Sequence, residues 1–194
     1  MMLLNFLHRV RQTWFRSRLP EMVSGWKNSN GVYHSDVRIS NTTYIGNPER
    51  LKLAGNIFIG HFNFIEASNQ IVIGEGCQIT NYVSIITHSS HISIRLLNKN
   101  YRNFSDPPGY IKDDVAIGDY TFIGPHSVIM PGSKIGRGCI VSAFSYVQGE
   151  FPDFSIISGQ PAKVIGTIHE MDEKWLLQFP ELRSDYEMWK NGKH

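Results

Sequence analysis

Two histidines stand close enough to act on one substrate. His88 and His91 sit in the run Thr87-His88-Ser89-Ser90-His91. Imidazole titrates near neutral pH, so such a group can take the proton of an attacking hydroxyl. The chain has eight histidines, and a lone one is more often structural than reactive. These two differ because they open a long stretch, about 86–113, with an odd chemistry of its own: Arg95, Lys99, Tyr101, Arg102 and Asp106-Pro107-Pro108-Gly109. A third histidine, His126, lies in Gly124-Pro125-His126-Ser127, where the pattern points it outward as a solvated surface residue. Three histidines are also what a catalytic zinc can take, so His88, His91 and His126 define a rival reading. Further along, Gly159-Gln160-Pro161-Ala162-Lys163 combines a bend-forming glycine and proline with a cation that can meet a phosphate. The two cysteines, Cys77 and Cys139, lack any metal-ligand spacing and read as small buried hydrophobes. No metal is expected from them, and a reduced, cytoplasmic setting is the default.

The elements that must hold these groups show in a repeat. From Ile117 to Val147 an aliphatic residue recurs every six positions: Ile117, Ile123, Ile129, Ile135, Val141, Val147. Four places after the first five stand Thr121, Ser127, Ser133, Cys139 and Ser145. Glycine follows three of the aliphatics, at Gly118, Gly124 and Gly136. Six fits neither a helix nor a plain strand. It fits a short strand, a corner and a repeat, the signature of a parallel β-helix. Looser repeats begin at Val32, Val37 and Ile39, and Ile45, Leu51, Ile59, Ile65 and Ile71 follow. The phase then slips by two to Ile73, Ile79 and Ile85, which suggests a widened corner or a bulge. Asn63 and Asn69 take the small-residue place and suggest a stacked asparagine ladder.

This pattern resembles that of the hexapeptide-repeat acetyltransferases, and is similar to the sugar and capsular polysaccharide O-acetyltransferases among them. The resemblance covers residues 32–166 and is densest over 111–166. It implies an all-β solenoid, a left-handed parallel β-helix, with the stretch 86–113 as an inserted active-site loop. It implies a homotrimer using acetyl-CoA to acetylate a hydroxyl of a saccharide acceptor, a capsule or lipopolysaccharide unit. Relatives place the catalytic histidine five or six residues past the last aliphatic of a coil. Counted from Ile85, His91 is at six and His88 at three, so His91 is expected as general base and His88 as a second contact. Gly159-Gln160-Pro161-Ala162-Lys163 resembles the segment that lines the coenzyme A tunnel, with Gly159, Pro161 and Lys163 as contacts. Ser142-Ala143-Phe144-Ser145 matches the stretch that meets pantetheine, through Ser142 and Ala143. Phe144 departs from the family's glycine and would crowd that approach unless it points away. The same resemblance leaves three alternatives open: N-acetylation of an amino sugar, a zinc enzyme like the γ-class carbonic anhydrases, and a non-catalytic scaffold. The zinc family's histidine pair five residues apart is missing here, and the histidine-bearing loop argues against a scaffold.

The 194 residues bound one domain with small appendages. A net charge of +2 and the lack of an aromatic-rich basic stripe argue against nucleic acid. Residues 1–31 read as an amphipathic helix, with Leu3, Leu7, Val10 and Trp14 on one face and Arg9, Arg11, Arg16 and Arg18 beside it, then an irregular linker from Pro20. That helix covers an end of the coil or contacts the inner face of a membrane. Residues 156–166 read as a last strand with a bend, and 167–194 as a helical C-terminal cap interrupted at Pro180.

Overall fold

The structure is a computed structural model that describes residues 19–192. The expected N-terminal helix lies outside the described residues. Strands of mostly two or three residues follow one another and enter three parallel sheets in rotation. The first sheet takes Tyr33–Ser40, Phe58–Ile59, Gln78–Ile79, Phe122–Ile123, Ile140–Val141 and Ser155–Gly159. The second takes Tyr44–Gly46, Phe64–Glu66, Ser84–Ile86, Val128–Ile129 and Tyr146–Val147. The third takes Leu51–Leu53, Ile71–Ile73, Val115–Ile117, Lys134–Ile135 and Glu150–Phe151.

One circuit of the chain thus delivers one aliphatic to each sheet, which is why the sequence step is about six. Partners in register form columns inside the molecule. Ile39, Ile59, Ile79, Ile123, Val141 and Ile157 make one. Ile45, Ile65, Ile85, Ile129 and Val147 make the second. Leu53, Ile73, Ile117, Ile135 and Phe151 make the third. Nearly all of these side chains are buried in a single core. Each fully buried aliphatic contributes roughly 1.5–3 kcal/mol.

The phase slip has a plainer cause than a bulge. Three third-sheet strands run three residues, and both their ends point inward: Leu51 and Leu53, Ile71 and Ile73, Val115 and Ile117 are buried, while Lys52, Val72 and Ala116 are not. Alternation along a strand puts residues i and i+2 on one face. The small residues of the repeat have a polar task as well as a steric one. Ser127 and Ser145 donate to the Ser142 carbonyl (3.0 and 2.7 Å), Ser133 to Met130 (2.7 Å), and Thr121 to Gly136 (2.9 Å). Buried corner carbonyls would otherwise lack partners. The asparagine ladder does not form. Asn63 is matched on the next circuit by Val83, whose N–H it accepts at 2.7 Å, and it donates to Gly60 at 3.0 Å. Asn69 instead donates to the Thr87 carbonyl at 2.9 Å.

Both ends of the first sheet are finished by antiparallel hairpins. Residues 22–27, expected as irregular linker, form a strand against Tyr33–Ser40. The sequence hides it because Gly25 interrupts a short run. Asn28 at its end accepts from the Leu53 N–H (3.0 Å) and donates to the Leu53 carbonyl (2.7 Å), beside Trp26. The expected last strand with a bend is two strands, Ser155–Gly159 and Ala162–Thr167. Among the described residues the α-helices are α1 (Ser93–Leu97), α2 (His169–Gln178) and α3 (Arg183–Lys190). The last is pinned by Trp189, whose ring lies edge-on to Tyr120 and Phe154 at 5.6 and 5.5 Å. Gly138 makes that slot: a Cβ there would stand 2.8 Å from both the Trp189 and Phe154 rings. Among the described residues, no helix is long and apolar enough to cross a membrane.

Candidate active site

The inserted stretch is tied off at its neck. His88 and Ser89 pair antiparallel with Lys112 and Ile111, and a turn at Pro107–Tyr110 brings the chain back. The neck fixes His88 where the second sheet ends. One circuit earlier the same corner carries Glu66 and Ser68. The Glu66 carboxylate lies 2.7 Å from His88 Nδ1, and the Ser68 hydroxyl lies 2.9 Å from the same nitrogen. The Ser68 N–H donates to the other Glu66 oxygen at 2.9 Å, and Thr87 donates to the first at 3.1 Å. Burial would raise the Glu66 pKa, but the Ser68 hydrogen bonds and the His88 charge outweigh it and hold the carboxyl below its ordinary 4.5. Glu66 is therefore an anion at neutral pH, aimed at Nδ1.

Tyr110 covers the imidazole, with ring centroids 5.6 Å apart and planes 17° from parallel. The Lys112 ammonium stands 5.3 Å from the Tyr110 ring and pairs with Asp106 at 2.5 Å. A cavity of about 340 Å³ opens beside these groups, lined by Arg50, Ser68, Asn69, His88, Tyr110 and Lys112. His91 is placed otherwise. It is exposed, its Nδ1 meets the Ser89 hydroxyl at 2.8 Å, and its carbonyl accepts from Arg95. His88 thus has a carboxylate partner and a stacked ring, whereas His91 meets a hydroxyl.

The segments expected to hold the coenzyme come together at another corner. Gly159 has φ +109°, a backbone that favours glycine, and lies at the tip of the last hairpin opposite Ala162. Pro161 and Lys163 are exposed there. Gln160 donates to the Phe144 carbonyl at 2.6 Å, and the Ser142 N–H donates to Ile157 at 2.8 Å. Gly124 lies beneath this corner: a Cβ on it would meet the Ala143 nitrogen at 2.6 Å. Phe144 does not crowd the backbone. It turns outward in the left-handed region and stacks on His126 at 4.8 Å and 5°. His126 stacks on Tyr82 (4.8 Å) and Tyr82 on Phe62 (5.2 Å), giving a four-ring column along one corner. His126 is exposed as expected, yet it is a member of that column rather than a freely solvated side chain. Among the described residues, no three His, Cys, Asp or Glu side chains gather as a metal site.

Both cysteines are buried, and burial raises both thiol pKa values, that of Cys77 to about 12. Neither offers a thiolate. Glu66, Ser68, Arg50, Tyr110 and Lys112 were not singled out from sequence as site residues. Register could have found Ser68, which stands one circuit of twenty residues before His88. The return of Tyr110 and Lys112 had no such signal.

Residues 114–149 match the family model described as bacterial transferase hexapeptide (six repeats). The chain is 31% identical over 124 residues to a galactoside O-acetyltransferase of Escherichia coli, covering 62% of this chain and 56% of that one. Across the first four curated relatives it spans 35% to 62% of their length. In fold it is similar to a hexapeptide-repeat acetyltransferase of Vibrio cholerae, with TM-score 0.60, 21% identity, and coverage of 70% of this chain and 72% of that one. It is also similar to an N-acyltransferase of Bacillus cereus solved with dTDP and 3-hydroxybutyryl-CoA, with TM-score 0.56, 19% identity, and coverage of 76% and 90%. By its repeat over 114–149 and by its fold, the chain is similar to the hexapeptide-repeat acetyltransferases.

Proposed function

We propose that this protein is an acetyl-CoA-dependent O-acetyltransferase acting on a sugar hydroxyl, built on a left-handed parallel β-helix. The observation that carries the reading is the Glu66–His88 pair, 2.7 Å apart, with His88 lining a cavity in a chain that carries hexapeptide repeats. Glu66 holds the Nδ1 proton in place, so Nε2 keeps its lone pair for the acceptor hydroxyl. It also stabilises the imidazolium that forms when Nε2 takes the proton. The resulting alkoxide attacks the thioester carbonyl, a backbone N–H holds the oxyanion, and the coenzyme leaves as thiolate. No covalent acyl-enzyme is needed. Ser68 shares Nδ1 with Glu66 instead of facing the basic Nε2, and the thiols stay protonated. His91 is left as an exposed loop residue held by Ser89. A thiol-release assay with acetyl-CoA and a panel of sugars, amino sugars and nucleotide sugars tests the reading. Product from amino groups alone would replace O-transfer by N-transfer, and no product with any acceptor would end it.

Ser142, Ala143, Gly159, Pro161 and Lys163 are proposed to hold the coenzyme, with Lys163 facing a phosphate. Lys163→Ala should raise the KM for acetyl-CoA roughly tenfold and leave kcat within about twofold, because the lost contact is remote from the reacting carbon. A fall in kcat at unchanged KM would place Lys163 elsewhere.

The same arrangement supports a trimer. Within one chain, the corner bearing Phe144 precedes the second-sheet strands and the corner bearing His88 follows them. Base and coenzyme segment therefore flank one sheet, and a neighbouring copy laid against it would bring the two kinds of corner together. Light scattering should give three chains per particle. A stable and fully active monomer would refute shared sites.

A further inference from the structure

The cavity beside His88 has an uneven charge. Its lining holds two cations, Arg50 and Lys112, and no carboxylate. The nearby acids are engaged: Glu66 with His88, and Asp106 with Lys112. Arg50 differs from Lys112. Its guanidinium donates to the Ser68 carbonyl, a neutral partner, and among the described residues it pairs with no carboxylate. A guanidinium offers a planar fork of five donors, so one such contact leaves most of them unused. Arg50 closes the short 3-10 turn Pro48–Arg50, directly before the buried Leu51, which anchors its backbone. The Tyr110 ring, stacked on the imidazole, supplies a flat wall to the same space.

We propose that this cavity takes an acceptor sugar carrying an anionic substituent, a carboxylate or a phosphate, gripped by Arg50 while the adjacent hydroxyl faces His88. The inference rests on the acyl-transfer reading for the identity of the reaction, but the anion preference follows from the lining alone. Arg50 is the principal contact because a fork can meet two anion oxygens in parallel. Lys112 is the lesser one, because Asp106 already holds its ammonium. The acceptor class is thereby narrowed from sugars in general to uronates, other acidic sugars and sugar phosphates.

Calorimetric titration of the full chain separates these. The probes are galactose, galacturonate and galactose 1-phosphate, with glucose and glucuronate as a second pair. At least one anionic sugar should bind about tenfold or more tightly than its neutral counterpart. That preference should disappear in Arg50→Gln, survive in part in Arg50→Lys, and change less in Lys112→Gln. Unchanged melting temperatures in these variants show that the fold is retained. A uronate preference identifies the carboxylate as the ligand group, and a 1-phosphate preference identifies the phosphate. Equal binding of neutral and anionic sugars, no binding of any anionic sugar, or an Arg50→Gln variant that keeps the preference would overturn the inference. Anion-selective binding without acetyl transfer would leave it standing and refute the acyl-transfer reading. Equal transfer rates to galactose and galacturonate would do the reverse.

Discussion

His88→Ala should lower kcat by about two to four decades while acetyl-CoA still binds. His91→Ala should cost far less. The order follows from what each ring touches. His88 has an anionic partner, and with Glu66 14% and His88 36% exposed the attraction is only partly screened by water. The ring is also held from one face by Tyr110 and at its backbone by the pairing with Lys112. His91 has a hydroxyl partner and solvent. An exposed ring on a loop is poorly held in the near-attack geometry that proton transfer to a bound nucleophile requires. Glu66→Gln tests the pair rather than the residue. The amide can still orient Nδ1–H but brings no charge to stabilise the imidazolium, so kcat should fall at least about tenfold with little change in acceptor KM. Steady-state kinetics on the three variants decide the matter. A His91→Ala variant more damaged than His88→Ala would return the role of base to His91.

Ile85→Ala should destabilise the fold by about 2–5 kcal/mol. Ile85 is fully buried, in register between Ile65 and Ile129, three residues before His88. Removing its side chain opens a void that the columns above and below cannot close, because each is pinned by its own parallel ladder. For a chain of this size that loss corresponds to a melting temperature lower by roughly 5–20 °C. Ile86→Ala is the matched control. It lies next along the strand, points away from the column and is only half-buried, so its cost should be about 1 kcal/mol or less. Thermal and urea unfolding of the two variants measure the difference. Equal losses would contradict the inward and outward alternation on which the register rests.

What the sequence determined by itself is the winding. The six-residue step from Ile117 to Val147 dictates which side chain enters the core, because a misplaced aliphatic would face water in every circuit. The small residues follow for a local reason, since a crowded corner admits little and leaves a carbonyl to be paired, as Ser127, Ser133 and Ser145 do. The helical tail was legible for the same reason: periodicity is local. The hairpin strand Met22–Lys27 was not, because its pairing with Tyr33–Ser40 is a property of two segments and Gly25 masks the alternation of one.

The site divides along the same line. The histidine loop, the 142–145 corner and the 159–163 bend were visible as motifs. Which histidine is oriented was decided only when circuits were stacked. That stacking sets Glu66 and Ser68 against His88 across twenty or so residues of chain. Counting residues past Ile85 points to His91, and a count along the chain does not register the carboxylate that the stacked circuits set against His88. His126 and Phe144 show the converse. His126 read as a solvated surface residue and Phe144 as an obstacle to the coenzyme unless it pointed away, and the common step of the circuits makes them rungs of one aromatic column. A repeat writes its period into the sequence, but the neighbours of a side chain lie one circuit away. Proximity between circuits, unlike periodicity, exists only in the folded chain.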